Sequence, residues 1–227
     1  MLISFDKLPK KMRNKKVKKY YEILKHKKMY LFFKRLFDIL ASFILLILLS
    51  PVFLIIALMI KFDSKGPVFY RQERVTRYGR IFKIFKFRTM IVGADKNGSL
   101  VTVNGDNRIT KVGSKIRNSR LDEIPQLINI LVGDMSFVGT RPEVMKYVDK
   151  YTDEMMATLL LPAGVTSEAS INFRDEAIIM NKYLKDNMNV DDVYVNKVLP
   201  EKMKYNINYL EKCNLIEDIK LCIKTVI

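Results

Sequence analysis

The chain has 227 residues, 49% of them hydrophobic, and carries 40 Lys and Arg against 24 Asp and Glu, a formal charge of +16. That length allows one full domain, or a smaller domain with an appendage, and the apolar content excludes a predominantly disordered chain. One histidine, His26, and two cysteines nine apart, Cys213 and Cys222, leave almost nothing for zinc sites or histidine-dependent hydrolysis. The cysteine spacing predicts reduced, buried thiols rather than a disulfide framework.

The charge is unevenly placed. Residues 1–35 hold 13 Lys and Arg against Asp6 and Glu22, and residues 61–90 hold nine against Asp63 and Glu73. The remainder is slightly acidic, so the whole positive excess brackets Ile39–Ile60, 22 residues without a charge. Excess of this kind beside an apolar run points to an anionic membrane, and no RRM, KH or helix-turn-helix pattern supports a nucleic-acid partner. Residues 1–30 read as a basic N-terminal extension: either a polybasic anchor for lipid headgroups or a solvated tail.

A straight helix over Ile39–Ile60 would cover about 33 Å, against a bilayer core of about 30 Å. The run is too long for a signal peptide, and no small-residue cleavage pattern follows it. Lys34 and Arg35 precede the segment and Lys61, Lys65, Arg71 and Arg74 follow it, so both ends favour the cytoplasmic side. Ser50-Pro51 sits in its middle, where Pro removes a backbone donor and Ser can bond back to the helix. A helix that breaks there and returns satisfies both basic clusters. A kinked spanning helix is the alternative, since membrane helices tolerate Pro.

Residues 31–61 are therefore assigned to the membrane and 62–227 to one cytosolic domain. Val68-Phe69-Tyr70, a turn at Tyr78-Gly79 and the alternating Ile81–Phe87 predict a β-hairpin near the membrane. Residues 93–112 read as a loop. Helical patterns follow at about 112–119, 123–132, 142–161, 173–186 and 191–225, the last interrupted near Pro200 and Asn214. The expected class is α+β and mainly helical, with a short hairpin and amphipathic helices whose apolar faces meet either core or lipid.

The densest cluster of reactive groups is Arg117-Asn-Ser-Arg-Leu-Asp-Glu-Ile-Pro-Gln126. Asp122 and Glu123 are adjacent carboxylates, and Pro125 fits the first turn of a helix, so both lie near a helix N-terminus. Adjacent carboxylates plus phosphate oxygens suit Mg²⁺, which takes few protein ligands and keeps waters. A carboxylate can also attack phosphorus to give an acyl phosphate. Acidic residues in a first turn are equally expected simply as complements to the dipole. Two further clusters carry cations: Gly133–Pro142, where Pro142 fixes the backbone after Arg141, and Lys86-Phe-Arg-Thr-Met90 at the end of the hairpin. Their structural alternatives are a turn with a solvated Arg and an interfacial strand with snorkelling cations.

Together these stretches resemble the bacterial sugar transferases known as monotopic phosphoglycosyl transferases. The resemblance rests on Lys34-Arg-Leu-Phe-Asp38, Ser50-Pro51, Gly66-Pro-Val-Phe69 with Gln72 and Arg74, and Phe82–Met90. It continues through Arg117–Gln126, Asn129, Leu131–Gly139 and Arg141-Pro142, with Leu199-Pro-Glu-Lys202 and Asp218-Ile-Lys220 like the end of some short members. It covers residues 31–175 well and implies a re-entrant membrane helix broken at Ser50-Pro51. The implied location is the bacterial inner membrane, with the catalytic domain on its cytoplasmic face. The implied reaction moves a phospho-sugar from a UDP-sugar to polyprenyl (undecaprenyl) phosphate with Mg²⁺, releasing UMP and initiating cell-surface glycan assembly. Asp122 matches the family's nucleophile, which carries a covalent phospho-sugar, and Glu123 its partner, both placed to bind Mg²⁺. Lys86, Arg117 and Arg141 match cationic positions near the phosphates.

Three departures stand out: Thr140 where the family generally has Pro, Pro162-Ala-Gly164 where Arg-Pro-Gly is more usual, and the stretch Ser167–Glu176. They bear on donor preference more than on reaction type. The match is to short members, without the multi-span N-terminal domain of longer ones. The competing readings are a sugar-only glycosyltransferase releasing UDP, which lacks the usual Asp-x-Asp motif here, and an inactive membrane-anchored scaffold or binding protein. The sugar, the glycan pathway and the oligomeric state are not encoded in any motif.

Overall fold

A computed structural model describes residues 2–94, 106–183 and 189–226. The basic N-terminal stretch is not a tail. Two 3₁₀ turns, Phe5–Lys7 and Lys10–Met12, lead into helix α1 (Lys15–His26), whose first turn is capped by Asn14 accepting from the Val17 amide at 2.9 Å. Val17, Tyr20, Tyr21 and Leu24 repeat at helical spacing and are buried, along with Leu8 and Met12. Their cluster includes Met156 and Leu160 of a 3₁₀ turn (Met155–Leu160) and Leu199, Met203 and Leu210 of a late helix. The lysines of α1 project outward, and Lys19 reaches Glu211 at 2.8 Å. High charge and a buried face coexist on one short helix.

Helices α2 (Lys28–Leu48) and α3 (Ser50–Asp63) follow, bent by 60° where they meet at Leu49. The Ser50 hydroxyl donates to the Ile47 carbonyl at 2.8 Å, and Pro51 supplies no amide to continue the ladder. Among the described residues no single helix is long and apolar enough to cross a membrane, but this bent pair together meets that test. α2 is inverted relative to a helix in water. Phe32, Phe33, Leu36, Leu40, Phe43, Ile44 and Ile47 are exposed, whereas Lys34, Asp38 and Ser42 are 6%, 3% and 0% exposed.

The predicted hairpin is present: β1 (Phe69–Val75) pairs antiparallel with β2 (Ile81–Phe87), in a register that sets Phe69 opposite Phe87 and Val75 opposite Ile81. Of the predicted loop, residues 95–105 lie outside the described residues, and Ile109 bridges back to Met90. Helix α4 (Lys111–Asn118) opens with Thr110 as its cap, a 3₁₀ turn holds Leu121–Glu123, and α5 is Gln126–Val132.

The helix expected over 142–161 is absent. Its place is taken by α6 (Met145–Val148) and the 3₁₀ turn, flanked by two strands that helical periodicity concealed. β3 (Met135–Val138) and β4 (Ala163–Thr166) pair in parallel. A Cβ on Gly164 would fall 2.1 Å from the Gly139 amide nitrogen, so the pairing needs glycine there. The chain ends in α7 (Glu168–Asn172), α8 (Glu176–Tyr183), α9 (Val190–Val193), a π-helical segment Tyr194–Val198 that runs into α10 (Leu199–Lys212), and α11 (Leu215–Val226). Residues 184–186 of the helix expected over 173–186 lie outside the described residues. Among the described residues the class is mainly helical, as expected, with two two-stranded sheets instead of one. Cys213 and Cys222 are unpaired thiols.

The buried side of α2 grips the rest. Lys34 Nζ meets Asp218 Oδ2 of α11 at 2.7 Å, and Tyr30 and Tyr209 also donate to that carboxylate. Breaking a buried pair strands a charge, a cost of about 3–5 kcal/mol, whereas apolar replacement of both partners costs far less. Asp218→Asn is therefore expected to lower the thermal midpoint of the detergent-solubilised protein markedly, and Lys34→Met with Asp218→Leu to recover most of it. Equal losses in both variants would contradict this account.

Candidate active site

Asp122 and Glu123 share the 3₁₀ turn Leu121–Glu123, entered through Arg120, whose φ of 56° is left-handed. That turn aims the two carboxylates differently. Glu123 points at two cations: Arg141 donates from both terminal nitrogens, and Lys86 Nζ lies 2.8 Å from Oε1. The Asp122 carboxylate accepts no hydrogen bond from any described residue. It lies on the wall shared by two cavities, together with Arg74, Lys86 and Arg117.

The elements that carry these groups are tied together by short polar contacts. Asn129 of α5 accepts from the Phe85 amide at 2.8 Å and donates to the Lys83 carbonyl at 3.1 Å, fixing β2, and so Lys86, against α5. Arg35 of α2 donates to the Ile130 and Leu131 carbonyls at 2.6 and 2.8 Å, in the last turn of α5. Arg88, two residues after Lys86, donates to the Ser64 and Lys65 carbonyls where α3 ends. Asp63 Oδ2 accepts from the Val112 amide at the start of α4.

The first cavity, about 430 Å³, is polar. Arg117, Arg120 and Arg141 stand around the carboxylate pair, and Glu143, Glu176, Tyr194 and Lys202 form a wall that the second cavity does not share. The second, about 410 Å³, is lined largely by Phe69, Tyr70, Phe87, Met90, Ile91 and Val92, beside the end of α3. Sequence reading brought Lys86, Arg117, Asp122, Glu123 and Arg141 forward, and all five meet here. Ser50 and Pro51 belong to the bend and line neither cavity. Glu143 and Tyr194 belong to no motif of the sequence, Glu176 enters only as the end of the departing stretch Ser167–Glu176, and Lys202 only within the resemblance of Leu199–Lys202. They lie far apart in the chain, and no local spacing links them.

Electrostatics separate the two acids. Burial pushes the Asp122 carboxyl up, opposed by Lys86 and reinforced by Glu123, and the balance is upward. Burial also pushes Glu123 up, but Arg141 and Lys86 outweigh it and hold it well below the usual range. Burial lowers the Lys86 ammonium, and Glu123 raises the Arg141 guanidinium. Among the described residues no three metal-ligating side chains gather, so there is no all-protein metal cage. An adjacent pair with one open carboxylate still matches the one or two ligands Mg²⁺ takes when phosphates complete its shell.

The family model for bacterial sugar transferases matches residues 29–227. Over 200 residues the chain is 35% identical to a UDP-N-acetylgalactosamine-undecaprenyl-phosphate N-acetylgalactosaminephosphotransferase of Aeromonas hydrophila, covering 87% of this chain and 43% of that protein. It is 34% identical over 198 residues to a UDP-glucose:undecaprenyl-phosphate glucose-1-phosphate transferase of Escherichia coli K12, covering 85% and 39%. It is 31% identical over 217 residues to a galactosyl transferase of Streptococcus agalactiae serotype III, covering 91% and 44%. The chain thus spans less than half the length of these curated relatives.

The opposed shifts make a prediction independent of any reaction. As pH falls, Asp122 should take up its proton first, above the ordinary aspartate value of 3.8, while Glu123 stays ionised below its ordinary 4.5. Carboxyl ¹³C NMR titration, assigned with Asp122→Asn and Glu123→Gln, reads the order directly. The reverse order would refute the cation clamp on Glu123.

Proposed function

Since the chain belongs to the bacterial sugar transferase family, we propose that it moves a phospho-sugar from a UDP-sugar to undecaprenyl phosphate at the cytoplasmic face of the bacterial inner membrane, initiating a cell-surface glycan. The observation that carries this reading is Asp122: an open carboxylate on the common wall of a cation-rich cavity and an apolar one. In the proposal the nucleotide sugar occupies the polar cavity, and the isoprenoid acceptor approaches through the apolar one beside the end of α3. The bent pair α2–α3 enters and leaves the same leaflet, which its outward apolar and inward polar faces support.

The proposed chemistry has two displacements at one phosphorus. An Asp122 carboxylate oxygen bonds to the phosphorus that bears the sugar, and the bond from that phosphorus to the bridging oxygen breaks, so UMP leaves with the electron pair. A phosphate oxygen of the lipid then attacks the same phosphorus and returns the carboxylate, leaving an undecaprenyl diphosphate sugar. Such transfers depend mainly on positioning and on neutralising charge at phosphorus, which needs cations rather than a histidine. Arg117 and Arg141 face the pyrophosphate, and Lys86, bonded to Glu123, is close enough to Asp122 to feel its charge. Glu123 keeps Lys86 and Arg141 in place, and its clamp leaves Asp122 as the member free to react. Asp122 and Glu123 would also hold Mg²⁺, which would supply further charge neutralisation on the pyrophosphate.

Purified protein given undecaprenyl phosphate, Mg²⁺ and a panel of UDP-sugars should release UMP. Asp122→Asn should cut that release by about a thousandfold or more, and EDTA should suppress it. A donor labelled on the sugar-bearing phosphorus should label wild-type protein when the lipid is withheld. Release of UDP instead would make the protein a sugar-only transferase. Turnover retained by Asp122→Asn would remove the covalent step, and donor binding without turnover would favour a scaffold.

A further inference from the structure

The wall of the polar cavity that the second cavity does not share contains two carboxylates, which is unexpected in a pocket proposed to hold a diphosphate. Glu143 is closed off. Tyr194 donates its hydroxyl to Glu143 Oε1, and Lys202 Nζ lies 3.4 Å from the same oxygen. Lys202 also donates to the Tyr194 hydroxyl and to Glu176 Oε2, each at 2.9 Å. An ammonium has three protons, so Lys202 is fully engaged. Glu176 is different. Its side chain is 33% exposed against 6% for Lys202, and Oε1 accepts no hydrogen bond from any described residue. A carboxylate offers about four acceptor positions, and Lys202 fixes this one in orientation while occupying a single oxygen.

The chemistry of that arrangement is selective. A fixed, acceptor-rich anion repels phosphate and favours neutral groups with several donors, of which vicinal hydroxyls are the best match. Phe173 lines the same cavity and is steadied edge-on by Tyr205, with ring centroids 6.3 Å apart. It supplies an apolar face beside the acceptors, the usual make-up of a small-molecule site. The run Arg141-Pro142-Glu143 joins the two ends of the cavity: Arg141 holds Glu123, and Glu143 holds the Lys202 that aims Glu176. The reacting end and the acceptor end are therefore a fixed few residues apart.

We infer that Glu176, oriented by Lys202, accepts hydrogen bonds from the sugar hydroxyls of the donor and sets which sugar is preferred. This rests on the proposed function, whose cavity it divides into a phosphate end and a sugar end. Glu176 is a specificity residue that touches substrate, and Lys202 is a positioning residue.

The test compares wild type, Glu176→Gln and Glu176→Asp with UDP-glucose, UDP-galactose, UDP-N-acetylglucosamine and UDP-N-acetylgalactosamine, and with UMP as a product inhibitor that carries no sugar. In Glu176→Gln, KM for the preferred donor should rise about tenfold or more, as for a lost charged hydrogen bond. Inhibition by UMP should stay within about twofold. Glu176→Asp keeps the charge but draws it back, and should reorder the donors. It decides the matter even if the Gln variant folds poorly. An equal loss for UMP would place the nucleoside at this wall and overturn the inference, as would an unchanged donor order in both variants. Wild type that turns over none of the four donors would instead remove the proposed function, and this subsite with it.

Discussion

The contact between Lys34 and Asp218 is one of several that hold α2 with its polar side turned toward protein. Lys34 binds α11, Arg35 binds the end of α5, and Asp38 Oδ1 accepts from Ser136 Oγ and the Phe137 amide of β3, each at 3.1 Å. Buried polar groups are costly unless each finds a partner, so these contacts permit a single rotation of α2 about its axis. The apolar residues then have nowhere to go but outward. The bent pair's other leg is fixed by Arg88 on the Ser64 and Lys65 carbonyls just after α3 and by Asp63 on α4. Each leg thus ends on an element that carries part of the site: α5 follows Asp122 and Glu123, β2 carries Lys86, and α4 carries Arg117. The bent helix pair and the candidate site share one set of hydrogen bonds.

Within that frame, the difference between two neighbouring acids is geometric before it is electrostatic. The left-handed Arg120 and the 3₁₀ turn after it send Glu123 toward Arg141 and Lys86 and leave Asp122 on the cavity wall. Their environments then separate their proton affinities in opposite directions, the usual sign of divided roles in a carboxylate pair. Around them Lys86, Arg117, Arg120 and Arg141 outnumber the two carboxylates, leaving net positive charge where a pyrophosphate would lie.

Much of this was legible from the residues themselves. Ser50-Pro51 marks the bend, alternation in Ile81–Phe87 marks the hairpin, and the five charged residues at the centre stand in three sequence clusters. Their convergence is implied only by the resemblance and by no local spacing, because Lys86, Asp122 and Arg141 meet through tertiary packing. Of the two readings of the N-terminus, the solvated tail fails for a clear reason. Val17, Tyr20, Tyr21 and Leu24 carry a helical stripe, but the density of lysine between them suggested a solvated segment. The missed strands have another. β3 and β4 are four residues each, buried along most of their length, and paired across 28 positions, so neither alternation nor a turn signal announces them. Glu143 and Lys202, 59 residues apart, could be joined only by the fold.

Thr140 illustrates how a local departure can be absorbed. Proline before Arg141 would stiffen the loop by restricting its backbone, and threonine lacks that restriction. The loop is held another way. The Thr140 carbonyl accepts from the Gly164 amide at 2.9 Å, the Pro142 carbonyl from Arg74 at 3.2 Å, and the Glu143 carbonyl from the Val75 amide at 2.9 Å. Three carbonyls in four residues are pinned, one by β4 and two by β1. Arg141 lies between these anchors, so its guanidinium reaches Glu123 from a backbone with little freedom left. The close approach of Gly139 and Gly164 makes the first anchor available. A side chain at Gly164 would part the two strands, release the Thr140 carbonyl, and loosen the clamp on Glu123 from some distance away.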